Sequence, residues 1–201
     1  MSYKVLLPAL ALFMVGFAAA QKKQLAPPPV PPKSPSPAVT DEFIQKQFGD
    51  SCSVLGGPQQ FVADLDGDGI DDLVIAARCK NPMADRDEYN FVVADPYHAF
   101  FGYGDVKITS TFASDEPERK GVSLLIIHGD GRDAWRSDKP KAKFLLINLP
   151  FKNLTVKKLA LKKRYGYGVF MEEVSEGDGT SSVVFWDGKK YRYQQLGGMM
   201  D

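Results

Sequence analysis

The chain has 201 residues, and its 25 Lys and Arg are balanced by 25 Asp and Glu, for zero formal net charge. That balance gives no electrostatic reason to expect nucleic acid as a partner. A 44% hydrophobic content, with thirteen Phe and eight Tyr, is enough apolar material for a real core.

Met1 to Ala20 has the pattern of a secretory signal peptide. Lys4 supplies a positive start, Val5 to Phe17 an apolar core, and Ala18-Ala-Ala20 small residues for cleavage before Gln21. The apolar core is short for a membrane span, and an uncleaved N-terminal anchor is the competing reading. No transmembrane span is expected after signal cleavage. The expected location is exported, either periplasmic or extracellular.

Residues 21–38 are rich in proline, which cannot donate to helix or sheet, and are expected to form an extended, solvated linker. The folded domain is expected over 39–201. Thr40 to Gly49 predicts a short amphipathic helix: Thr40 as N-cap, acids in the first turn, Phe43, Ile44 and Phe48 on one face, Gly49 as stop.

The densest chemical signal follows. Between the apolar runs Phe61-Val-Ala63 and Leu73-Val-Ile-Ala-Ala77 lie five carboxylates: Asp64, Asp66, Asp68, Asp71 and Asp72. Like charges this close repel unless a cation or solvent relieves them. Alternate aspartates with Gly69 after them suit a loop wrapping calcium, a hard cation that takes oxygen ligands. The expected metal ligands are Asp64, Asp66, Asp68, Ile70 through its carbonyl, and Asp72, with Ca2+ as the cofactor. An EF-hand would need a bidentate Glu at the twelfth position, which is Ile75, and its flanks would be helical rather than strand-like. An acidic, solvated turn without an ion is the plainer alternative.

This strand–loop–strand resembles the FG-GAP and VCBS-type calcium loops of integrin-like propellers and bacterial secreted proteins. The resemblance covers about a tenth of the chain, in a single copy, so a complete propeller is not expected. It implies a structural ion, because a loop that surrounds its ion with protein oxygens leaves little room for substrate.

Cys52 and Cys79 are the only cysteines and bracket the acidic loop; in an exported chain they predict a disulfide, with free thiols as the alternative. Tyr89 to Val93, Val106 to Phe112, Val122 to His128 and Lys143 to Ile147 read as short strands. Asp95 to Gly104 is aromatic and glycine-rich, read as a packed loop or a surface for a flat ligand such as a sugar ring. Lys152, Lys157, Lys158, Lys162, Lys163 and Arg164 form a basic run, read as a solvated face or a binder of anionic surfaces. Ser182 to Trp186 and Lys189 to Tyr193 flank Asp187-Gly188, which predicts a two-residue hairpin turn. The run Phe185 to Tyr191 (FWDGKKY) resembles the terminal hairpin of uncharacterised exported bacterial proteins.

No catalytic residue is assigned. His128 ends a strand and could be oriented by Asp130 or Asp133, whereas His98 has aromatic neighbours only. Glu172, Glu173 and Glu176 could be imagined as paired carboxylates, with solvent-facing acids as the plainer reading. The expectation is an α+β, predominantly antiparallel β protein with a short N-terminal helix and a single compact domain, more a binding or structural protein than an enzyme. The alternatives are an exported hydrolase with a site near His128, or an anionic-surface or glycan-binding module; the partner is an unknown protein or glycan.

Overall fold

The computed structural model describes residues 31–57, 59–103, 111–161, 164–173 and 180–197. In chain order these form α1 (Asp41–Phe48), β1 (Cys52–Val54), β2 (Gln60–Ala63), β3 (Asp72–Cys79), α2 (Arg86–Tyr89), β4 (Val92–Ala94), α3 (Pro96–Phe100), β5 (Val122–His128), β6 (Ala142–Leu146), β7 (Phe151–Leu161), β8 (Arg164–Glu173), β9 (Ser181–Trp186) and β10 (Tyr191–Gln195).

The unbroken apolar runs of β3 and β5 explain the architecture. A strand with apolar residues at every position must be covered on both faces. Val74, Ala76, Leu124, Ile126, Phe144 and Leu146 face one way, against Leu154, Val156, Tyr167, Val169, Met171, Val184, Tyr191 and Tyr193. Leu73, Ile75, Leu125, Ile127, Leu145 and Ile147 face the other way, beneath Ile44 and Phe48 of α1, Phe91 and Trp135. Each of the Val, Leu and Ile side chains among these, once buried, favours folding by about 1.5–3 kcal/mol. Three layers result: α1 with its neighbouring loops, a six-stranded sheet, and a four-stranded sheet.

The first sheet runs β1-β3-β5-β6-β4, with β2 also on β3, and the second runs β10-β9-β8-β7. β2 pairs the start of β3 (Ala63↔Asp72 to Gln60↔Ile75) and β1 pairs its end (Val54↔Ala77 to Cys52↔Cys79). Every pairing is antiparallel except β4 with β6. The protein is α+β and β-rich, and among the described residues there is no closed barrel or propeller. No helix among them is long and apolar enough to cross a membrane.

Cys52 and Cys79 are disulfide-bonded and sit directly opposite each other on β1 and β3. The bond joins the strand that begins with Asp72 to the segment leaving α1. α1 matches its expected span, and Gly49 closes it at φ 83° with its N–H on the Gln45 carbonyl.

Several expectations are corrected in detail. Tyr89 ends a helical turn rather than starting a strand, because Asp85 and Asn90 bracket that turn in left-handed conformations, and the strand is only Val92–Ala94. Within Asp95 to Gly104 the chain forms α3, started by the Asp95 side chain and by Pro96 at the first turn, where a missing N–H costs nothing. The final hairpin is shifted in register from the expected one: the Asp187 N–H donates to the Lys190 carbonyl, which leaves Gly188 and Lys189 at the tip. Trp186 pairs with Tyr191, and the Asp187 carboxylate accepts from the Lys189 and Lys190 N–H groups, wrapping the turn around itself. The end of the proline-rich stretch is docked rather than solvated. Lys33 exchanges both backbone hydrogen bonds with Val62, and Pro35 is buried. The signal-like segment, most of Val106 to Phe112, Lys162, Lys163 and Glu176 lie outside the described residues.

Candidate metal centre

The acidic loop joins β2 to β3 at one end of the first sheet. Its shape comes from carboxylates folding back on their own backbone. Asp64 accepts from the N–H groups of Gly67 (2.7 Å), Asp68 (3.1 Å) and Gly69 (3.0 Å), and Asp68 Oδ1 accepts from Ile70 N–H at 2.9 Å. Gly67 and Gly69 take φ values of 80° and 87°, which a side chain would strain.

Asp72, the first residue of β3, is the buried anchor. Its Oδ2 accepts from Leu65 N–H (2.7 Å) and Asp66 N–H (3.3 Å), and its Oδ1 from Gly129 N–H (2.8 Å), just beyond β5. Burial, with the nearby Asp66 charge, pushes the Asp72 carboxyl up to about 8, against the pull of those three N–H donors. A cation beside it would reverse that balance.

Asp64, Asp66 and Asp72 each bring one carboxylate oxygen within 4.8 Å of the others, with Asp66 and Asp72 buried. Three hard oxygens on a short loop form a donor set that could hold a metal ion. The expected ligand Asp68 is not part of that side-chain cluster, and the expected Ile70 ligand is a backbone carbonyl. Asp68 turns its Oδ2 to Lys141 Nζ at 2.6 Å, and half-buried Ile70 follows it in the loop. Asp71 pairs with Lys33 at 2.6 Å on the outer side.

Lys141 also lies 2.6 Å from Asp66 Oδ2. Hydrogen bonds to Asp66 and Asp68 raise its pKa, so it keeps its charge throughout the ordinary range. Partial burial works to raise Asp68, but the Lys141 ammonium and the Ile70 N–H outweigh it and hold the carboxyl below its ordinary value. Lysines 75 residues downstream of Asp66 and 38 residues upstream of Asp71 thus relieve repulsion within the loop. No local sequence signal marks either one.

His128 sits behind the loop, 1% exposed. Its Nδ1 is 3.5 Å from Asp66 Oδ2 and its Nε2 2.7 Å from the Tyr191 hydroxyl, so Asp66 is its carboxylate neighbour rather than Asp130 or Asp133. Phe144, Trp186 and Tyr191 enclose the ring. Burial, helped by the Lys141 charge, lowers its pKa to about 4 against the attraction of Asp66 and Asp68. It is a neutral imidazole inside the core.

His98 is not limited to aromatic company. Its Nδ1 lies 2.8 Å from Asp95 Oδ2, and Asp95 is fully buried. The Asp95-Pro96 pair is a helix-start signal that could have located this carboxylate from the sequence. Lys152, Lys157 and Lys158 are exposed along β7, the edge of the second sheet, where lysine discourages pairing with another chain. Glu172 accepts from Asn153, and Glu173 from the Tyr193 hydroxyl.

Comparison with family models, with curated proteins and with solved structures found no match to this chain. The site therefore stands on its own geometry.

Proposed function

We propose that this is an exported binding or structural protein whose β2–β3 loop is rigidified by calcium. The convergence of Asp64, Asp66 and Asp72 on one point carries this reading. Calcium suits the donor set because all three groups are hard carboxylates and the loop is not a rigid octahedral cage. The FG-GAP/VCBS-like spacing and the signal-like first twenty residues support the same reading. The enclosure of His128, with both ring nitrogens facing protein groups, fits a core link better than a substrate-facing base.

The test is calorimetric titration of calcium into chelator-treated protein, continued to roughly millimolar, the range of weak extracellular sites. Saturable heat with a raised melting temperature, both lost in Asp64→Asn and Asp66→Asn, is the expected result. No heat and no thermal shift would leave the loop an acidic turn held by lysines. Export is tested separately: the mass of the secreted protein should correspond to a chain beginning at Gln21.

A further inference from the structure

At the end of β3 and β5 away from the acidic loop lies a cleft of about 640 Å³, within the size range of small-molecule sites. Its walls include Tyr97, His98, Phe112 and Phe151, and the Asn148 side chain. His98 is held there as a fixed polar group. Asp95, fully buried, takes the His98 N–H on Oδ1 at 2.9 Å and faces its Nδ1 with Oδ2 at 2.8 Å. Asn148 donates to the same Oδ2 at 2.6 Å, while its own Oδ1 accepts from Ala113 N–H, so carboxylate and wall are locked together. In the tautomer that carries its proton on Nδ1, toward Asp95, Nε2 is an acceptor. That atom has no protein partner among the described residues, and the side chain is 27% exposed.

The charges around the cleft cancel. Arg78 spends its guanidinium on the carbonyls of Pro117, Glu118 and Lys120, Arg119 pairs with Glu116, and Lys120 with Asp115. Among the residues that line the cleft, Arg78, Arg119 and Lys152 are matched in number by Asp115, Glu116 and Glu118. Arg78 and Lys152 have no carboxylate partner among the described residues, so inorganic phosphate is the competing ligand the test must include. Apolar ring walls, one fixed acceptor and no net charge fit a ligand with both an apolar face and neutral hydroxyls.

We propose that this cleft binds an uncharged oligosaccharide, with His98 Nε2 accepting a hydrogen bond from a sugar hydroxyl. Tyr103, 70% exposed and edge-on to His98 at 6.2 Å, extends the aromatic wall toward solvent. The site deepens the binding reading above but does not use the acidic loop.

The chain has only two histidines, so the imidazole nitrogen spectrum holds two ring systems. Cellobiose, maltose and N,N′-diacetylchitobiose are titrated at millimolar concentrations into the full chain, in parallel with inorganic phosphate, in calcium and again in chelator. The expected result is that at least one disaccharide moves the His98 Nε2 resonance and leaves His128 in place, with or without calcium. His98→Gln should weaken that sugar at least about tenfold, read from backbone amides around Tyr97. If no disaccharide moves His98, or phosphate moves it at lower concentration than any sugar, the proposal fails. Loss of calcium binding alone would leave this result standing.

Discussion

His128 Nε2 meets the Tyr191 hydroxyl at 2.7 Å, joining the end of β5 in the first sheet to the start of β10 in the second. The bond lies in the seam between the sheets, behind the loop that carries Asp66. In the tautomer with Nδ1–H toward Asp66, the tyrosine is the donor to Nε2. Removing the hydroxyl leaves a buried acceptor unpaired. Tyr191→Phe should therefore cost about 1–3 kcal/mol in urea unfolding. A double-mutant cycle with His128→Leu should show the two costs are not additive.

Lys141 and the proposed calcium would share one carboxylate, Asp66. Lys141→Met should lower the stability of the ion-free protein, because Asp66 and Asp68 lose the ammonium 2.6 Å away. The same change should tighten calcium, because the ion no longer has to displace a bound cation. Opposite signs in chelator and in millimolar calcium, read by thermal unfolding, are the signature. A loss of equal size in both would show that Lys141 serves the fold alone.

Gly129 has no room for a side chain. A Cβ there would lie 2.4 Å from the Asp71 carbonyl oxygen, and the neighbouring Ala134 and Trp135 backbone blocks any shift away. Its N–H is also the donor to Asp72. Gly129→Ala should cost upwards of about 3 kcal/mol, in the range reserved for severe core lesions. It should weaken calcium as well, measured by titration of whatever fraction folds.

The Cys52–Cys79 bond closes a 27-residue separation. On loop entropy, replacing both cysteines by serine should cost about 3–4 kcal/mol. The loss should be equal with and without calcium if the bond only restrains the unfolded chain. A larger loss with calcium would mean that it also positions β3 for the ion.

Asp187 gives the final turn a pH dependence. Partial burial works to raise its carboxyl, but Arg192 at 2.6 Å and the N–H groups of Lys190 and Lys189 outweigh it and hold the group below its ordinary value. A depressed carboxyl contributes stability above its unfolded pKa, near about 4, and loses it as pH falls through the folded value. Asp187→Asn should remove about 0.5 kcal/mol at neutral pH and nothing in strong acid. Unfolding curves of the two proteins should converge below about pH 3.

Local pattern carried much of this protein. Whereas the disulfide is expected from the sequence only if the chain is exported, the helix over Asp41–Phe48 and the long strands around Leu73-Val-Ile and Leu124-Leu-Ile-Ile127 follow from residue type and spacing alone. So does the carboxylate cluster, because aspartates alternating along a glycine-containing turn are neighbours whatever the rest of the chain does. Local pattern failed where a distant group decides. The Asp187-Gly188 dipeptide predicts a turn centred on itself, yet with Arg192 and two backbone N–H groups on the Asp187 carboxylate the turn is centred on Gly188 and Lys189. Lys141 on Asp66, Asp66 beside His128 and Asn148 on Asp95 join residues 53 to 75 positions apart. A sequence states which charges and hydrogen-bonding groups a chain has. Only sheet registry, which brings the start of β3 against the end of β5, decided which of them meet and lose their water.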